Sequence, residues 1–298
     1  MNPLDVARTR ANAALFERVA GPDGETARER IHRTPGPRWF APGSPIRRVH
    51  GDASMYIGGV RALLLQSLHP VAMAAVAEHS GFRGDPWGRL AQTSTFVAET
   101  TFAAAPDAAR AIAIVRAVHA RITGTTPEGV PYRADDPHLL TWVHVAEIDS
   151  FLRAHQRYGS QPLTPAEQDE YVEQAATVAR RLGGADVPTS LAGLDATIEG
   201  YRSELRGTPA AVDAARFVLT EPPVPLLLRP PYGLLTAAAV GLLPSWAVGP
   251  LRLPRLLRAQ AAVATPGGHL MVGALRWLAA AQPVPFVDED EAAEPARA

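Results

Sequence analysis

The chain contains neither cysteine nor lysine. Without cysteine there is no disulfide, thiolate nucleophile, iron–sulfur cluster, cysteine-ligated haem or cysteine-type zinc site. Without lysine there is no Schiff-base chemistry, and all 29 basic residues are arginine. Neither sign of charge is in excess: 29 basic and 30 acidic residues leave a net charge of −1. That gives no bulk attraction to nucleic acid, and no nucleic-acid partner is expected. No Gly-x-Gly-x-x-Gly follows a strand, and neither a P-loop nor a Gly-x-Ser-x-Gly elbow occurs, so nucleotide-dependent and serine-hydrolase chemistries have no support. The paired Glu-x-x-His motifs of a di-iron carboxylate centre are missing too. One apolar run, Leu234 to Leu253, invites the question of a membrane span. It is interrupted by Pro244 and Pro250 and carries Arg252, whereas a span wants about 20 predominantly apolar residues. It reads as a buried helix–turn–helix or an apolar surface segment, with a true span as the alternative and peripheral lipid contact open. Residues 1–21 carry scattered charges and no apolar stretch of the secretory type. The expected location is cytoplasmic, with membrane-peripheral contact open.

What is present is a chain of 298 residues with 47% hydrophobic and 20% charged residues, enough for a sizeable core. Alternating strand patterns are scarce and helical spacing is common, so the fold class is all-α: a single multi-helix domain. Residues 1–45 read as an N-terminal helix and linker, with Pro35, Pro37, Pro42 and Pro45 marking an extended stretch. Residues 46–220 form the helical core. Within it, 50–78 reads as one helix containing Gly58 and Gly59, which allow close approach by another backbone or a flat ligand. Helices then start at Asp85-Pro86, Pro106-Asp107 and Asp136-Pro137, with a loop over 124–131. Thr164-Pro165-Ala166-Glu167 resembles a capping box, and Gly183-Gly184 stops that helix. One or two further helices cover 189–218. Residues 221–287 are a proline-dense connector and apolar helices, and 288–298 an acidic tail expected to be disordered.

The candidate chemistry centres on Gly81–Phe96 and Val115–Gly124. Arg89 and Thr93 are four residues apart and share a helix face. His119 follows Ile112 and Val115 at helical spacing and precedes Ile122, on a face expected to be buried. A helical hairpin bringing these together makes a haem or metal pocket. The alternative for His119 is a hydrogen-bonded core histidine. For Arg89 and Thr93 it is an arginine paired with Asp85 and a threonine bonded back to its own helix. His144 is the second candidate for an axial or pocket histidine; Glu147 shares its face and can tune its pKa. His69 and His79 suit capping, packing or a general-base role, whereas His138 and His155 read as surface positions.

These residues also carry a resemblance to the MpaB-like and latex-clearing proteins, α-helical b-type haem oxygenases. The Arg89-x-x-x-Thr93 motif and His119 match positions near the haem and on its iron. Gly58–Pro70, Glu78–Phe82, Asp135–His144 and Pro165–Gln174 extend the similarity in the same order. The resemblance implies haem b as cofactor, His119 as the iron ligand, and Arg89 and Thr93 as catalytic and haem-contacting residues; His144, read from its own surroundings, stays the second candidate for the haem pocket. It also implies molecular oxygen and an apolar, isoprenoid- or lipid-like substrate. One departure matters: the latex-clearing branch places a lysine before the motif threonine, and Gln92 stands there in this chain. That points to the broader group and away from rubber cleavage. Two other classes fit the same sequence: a haem-binding sensor or carrier without turnover, and a non-haem helical protein that binds a lipid or partner.

Overall fold

The computed structural model describes residues 2–81, 83–253, 259 and 264–280. The acidic tail expected from residue 288 and Phe82 of the Glu78–Phe82 run lie outside the described residues. In chain order the helices are α1 (Pro3–Ala20), α2 (Gly24–Arg33), α3 (Pro45–His50), α4 (Met55–Gln66), α5 (Pro70–His79), α6 (Pro86–Phe102) and α7 (Ala105–His119). After a small hairpin, β1 (Thr123–Thr125) and β2 (Pro131–Arg133), come α8 (Pro137–Tyr158), α9 (Pro165–Leu182), α10 (Leu191–Tyr201) and α11 (Pro209–Thr220). The 3-10 turn Leu226–Leu228 leads to α12 (Arg229–Gly241), α13 (Ser245–Val248) and α14 (Thr265–Ala279). The protein is all-α.

Proline sets where the helices begin. It occupies the first or second position of α3, α5, α6, α8, α9 and α11, where its missing N–H costs nothing. Side chains of Asp85, Asp136, Thr164 and Thr208 accept hydrogen bonds from first-turn amides, each cap stabilising by about 1 kcal/mol. At α9 the full capping box forms: Thr164 N–H donates to Glu167 Oε2 at 2.8 Å, and Glu167 N–H to Thr164 Oγ1 at 3.3 Å.

Three expectations are corrected. The single helix over 50–78 is instead the end of α3, then α4 and α5, the last two meeting at 108°. Pro70 lacks the amide needed to continue α4, and His69 caps the new helix by accepting from Ala72 N–H. The loop over 124–131 is the turn of a β-hairpin, pairing Thr123 with Arg133 and Thr125 with Pro131. Its strands are too short to show an alternating pattern. His155, expected at the surface, is buried, because α8 is a central helix covered on most of its circumference.

The core runs along α8. Trp142, Val145, Ala146 and Leu152 are fully buried and pack with Leu64, Leu65, Tyr171, Leu194 and Leu251. Gly58 lets α4 settle onto α8: an added Cβ would sit 2.9 Å from Phe151 Cδ1 and 3.1 Å from the Ser150 carbonyl. The apolar run of residues 234–253 is spent here, since Ala237–Val240, Leu243, Ala247 and Leu251 are buried and α12 packs on α4. No single helix among the described residues is long and apolar enough to cross a membrane. The exposed apolar residues of this region include Leu226, Leu227 and Leu228.

Candidate functional site

The α6–α7 hairpin is held at its corner by Arg38, whose guanidinium donates to the carbonyls of Phe102, Ile31, His32 and Thr34. The two helices fold back on each other, so the first turn of α6 comes near the last residue of α7. Arg89 and Thr93 share a face, as their spacing predicts, and both are exposed. Arg89 donates to Gln92 Oε1 at 3.1 Å, leaving Asp85 to cap Gly88 N–H. The Thr93 hydroxyl donates to the Arg89 carbonyl at 2.9 Å. Threonine back-bonding of the kind weighed from sequence is therefore present; pairing of Arg89 with Asp85 is not.

His119 ends α7 and is half-buried. Only Ile112 of its expected apolar face is fully buried; Val115 and Ile122 are half-buried. Burial lowers the His119 pKa, the nearby Arg89 cation lowers it further, and Asp135 opposes both. The net direction keeps the ring neutral at physiological pH, with a lone pair available. No hydrogen bond to this imidazole exists among the described residues.

A second group lies deeper. His144 and Glu147, one turn apart on α8, and His50, the last residue of α3, are enclosed by protein yet keep some accessible surface. Burial pushes the His144 pKa down to about 4 and that of Glu147 up to about 7. His50 falls to about 3, through burial and then the neighbouring His144. His144 Nε2 has no hydrogen-bond partner, and the Glu147 carboxyl has none among the described residues. His50, by contrast, is held: Nδ1 lies 2.8 Å from Thr101 Oγ1 of α6 and Nε2 3.3 Å from the Tyr171 hydroxyl of α9. Sequence alone missed His50 and Tyr171, because three separate helices must pack before the contact exists.

Both helix pairs also leave apolar side chains exposed. α4 packs tightly on α8, and α6 on α7, but contact between the two pairs is at most marginal. Leu63 and Val143 of the first pair and Leu90, Ile114 and Val118 of the second remain exposed. Gly59, one turn before Leu63, faces open space, with nothing within 4 Å of where a Cβ would be. The two adjacent glycines thus divide their roles: Gly58 seats a helix and Gly59 opens a surface. At the far end, β2 packs against α5, and the Tyr132 hydroxyl donates to Glu78 Oε2 at 2.5 Å and lies 3.1 Å from His79 Nε2.

A separate cleft of about 590 Å³ is lined by Arg61, Asp149, Arg153, Asp195, Leu242 and Trp246 among others. It holds none of the candidate site residues Arg89, Thr93, His119 and His144. Arg61 and Arg153 pair with Asp149, and Arg153 also with Asp195, in one network.

Fold and site together define a helical protein with unpartnered histidines on two helix pairs and apolar surface left uncovered on both. The family model for "ER-bound oxygenase mpaB/B'/Rubber oxygenase, catalytic domain" matches residues 47–280. The chain belongs to this family of oxygenase catalytic domains. No curated protein and no solved structure matches it.

Proposed function

We propose that this protein is a haem b-dependent oxygenase acting on an apolar, isoprenoid- or lipid-like substrate. The observation that carries the reading is His119: a half-buried imidazole, biased to the neutral form and without a hydrogen bond, beside Arg89. A neutral imidazole is what a b-type haem needs as its protein ligand. Among the described residues Arg89 is bonded only to a neutral amide, which leaves its guanidinium able to turn to a haem propionate, where a charge-assisted pair is stronger. Leu63, Val143, Leu90, Ile114 and Val118 supply apolar surface for the flat macrocycle and for substrate. When bound, haem supplies the iron at which oxygen is activated for attack on a carbon–carbon double bond.

The chain's own residues then have distinct tasks. His119 holds the cofactor. Arg89 orients it through a propionate, and Thr93, its proton committed to the Arg89 carbonyl, keeps lone pairs to accept a hydrogen bond. Glu147, half-protonated near neutrality, stores a proton beside His144 and His50. Gln92 stands where the latex-clearing branch has lysine, so rubber cleavage is not part of the proposal.

A second reading makes His144 the iron ligand. Its buried, orphaned Nε2 favours it. Oxygen uptake tests the function: the haem-loaded chain is given a polyisoprenoid alkene such as squalene in an oxygen electrode. The expected result is substrate-dependent uptake that His119→Ala abolishes. Haem uptake with no oxygen consumption on any apolar alkene would instead favour a sensor or carrier.

A further inference from the structure

Three side chains from distant parts of the sequence converge where α4 breaks into α5. His69 caps α5, His138 lies in the first turn of α8, and Glu204 follows α10. One ring nitrogen of each histidine and one Glu204 oxygen all lie within 4.8 Å of one another. His138 Nε2 is 3.0 and 2.9 Å from the two Glu204 oxygens, and His69 Nε2 is 3.3 Å from Oε2.

Hydrogen-bond logic fixes the state of His138. The Tyr201 hydroxyl donates its single proton to the His138 carbonyl at 2.8 Å. Its 3.2 Å contact with His138 Nδ1 is therefore one in which Nδ1–H donates to the tyrosine oxygen. In the neutral ring Nε2 then carries a lone pair, aimed at a carboxylate. Two such groups at this distance repel unless a proton or a metal ion lies between them. His69 brings a third nitrogen to the same point. Its ring is 3% exposed, and Nε2 faces Glu204 but makes no hydrogen bond, the 3.3 Å contact being misaligned.

We propose that His69, His138 and Glu204 bind one divalent transition-metal ion of the zinc class. Two imidazoles and a carboxylate are a donor set for such ions, and Tyr201 orients one imidazole through its other nitrogen. The side chains of His138 and Glu204 are 55% and 42% exposed, so the ion enters from solvent and keeps water in its remaining positions. Binding at His69 Nε2 moves the ring proton to Nδ1 and gives up the long 3.4 Å contact with Ala72 N–H. Arg206 opposes a cation near His69, and the Glu204 carboxylate offsets it. The ion would tie the α4–α5 break to the start of α8 and the turn after α10.

The test is calorimetric titration of the untagged full-length protein with zinc sulfate, beside His138→Ala and Glu204→Gln. Both variants alter exposed or half-exposed side chains, and circular dichroism verifies their folding. The expected result is one equivalent bound at micromolar affinity or tighter, weakened about tenfold or more in each variant. Zinc should also raise the unfolding temperature of the wild type more than that of either variant. Absence of zinc binding, or unchanged affinity in either variant, would overturn the proposal. The readout involves no haem band, so failure of the haem reading leaves it intact.

Discussion

Two arginines show how differently two parts of this molecule are finished. Arg61, on α4, is 3% exposed and fully used: Nε donates to the Leu242 carbonyl at 2.9 Å, Nη1 to Ser150 Oγ at 2.7 Å, and Nη2 pairs with Asp149 at 2.7 Å. Arg89, on α6, is exposed, with a single bond to a neutral amide one turn away. The histidines repeat the contrast: His50 is held on both nitrogens, whereas His119 and the Nε2 of His144 lack partners. Burying an unpaired polar group costs free energy, so the partnerless His144 Nε2 on α8 stands out beside the paired Arg61–Asp149 contact of the same seam, and the proposed cofactor would give such idle groups a use.

The comparison breaks most visibly at Asp149. Asp149→Ala leaves Arg61 buried and uncompensated, and should cost roughly 3–5 kcal/mol in urea unfolding. A loss under about 1 kcal/mol would mean that the seam is not the rigid half of the molecule.

Next in size is Glu147, whose pKa is raised from 4.5 to about 7. A raised carboxyl stabilises the fold while protonated, so its contribution is lost as pH climbs from about 4.5 through 7. His144 and His50 are lowered to about 4 and 3, so theirs is lost as pH falls below 6.5. Between 4.5 and 6.5 the trends oppose and the two histidines outweigh the one carboxyl, which places maximum stability of the haem-free protein near pH 6.5. Glu147→Gln should stabilise by about 1–3 kcal/mol at alkaline pH, the full shift being discounted because the residue keeps some solvent exposure, with no gain in acid. Thermal melts across pH would show this, and equal effects at both ends would contradict it.

The paired glycines sharpen the contrast at lower amplitude. Gly58→Ala drives a methyl into Phe151 and should cost about 1–3 kcal/mol. Gly59→Ala, a change into open space, should stabilise by up to about 1 kcal/mol. Smallest is Arg89→Ala: stability should move by less than about 0.5 kcal/mol. The His119 pKa should rise on loss of the cation, as read by NMR titration of the ring.

Local features were legible in the sequence. The capping box at Thr164–Glu167 and the helix starts at Pro86 and Pro137 depend on neighbours within a few residues. The Arg89–Thr93 face depends only on helical spacing, and a helical hairpin already links it to His119 in the sequence; the role of His119 as iron ligand is what the family resemblance implies. Other features required the chain to be folded. His50 meets Thr101 and Tyr171 from separate helices, and His138 meets Glu204 across 66 residues. His155 was misjudged because a charged-looking segment of α8 runs through the core. The α4–α5 corner was marked by Pro70, yet apolar periodicity on both sides suggested continuity.

The central claim is that the open half binds haem through His119. The most direct test is titration of the haem-free protein with haemin, followed by absorption, for wild type, His119→Ala and His144→Ala. The account predicts one equivalent bound with a Soret band in the wild type, the band lost or shifted in His119→Ala and retained in His144→Ala. A colourless wild type, or a band that survives His119→Ala unchanged, would contradict it.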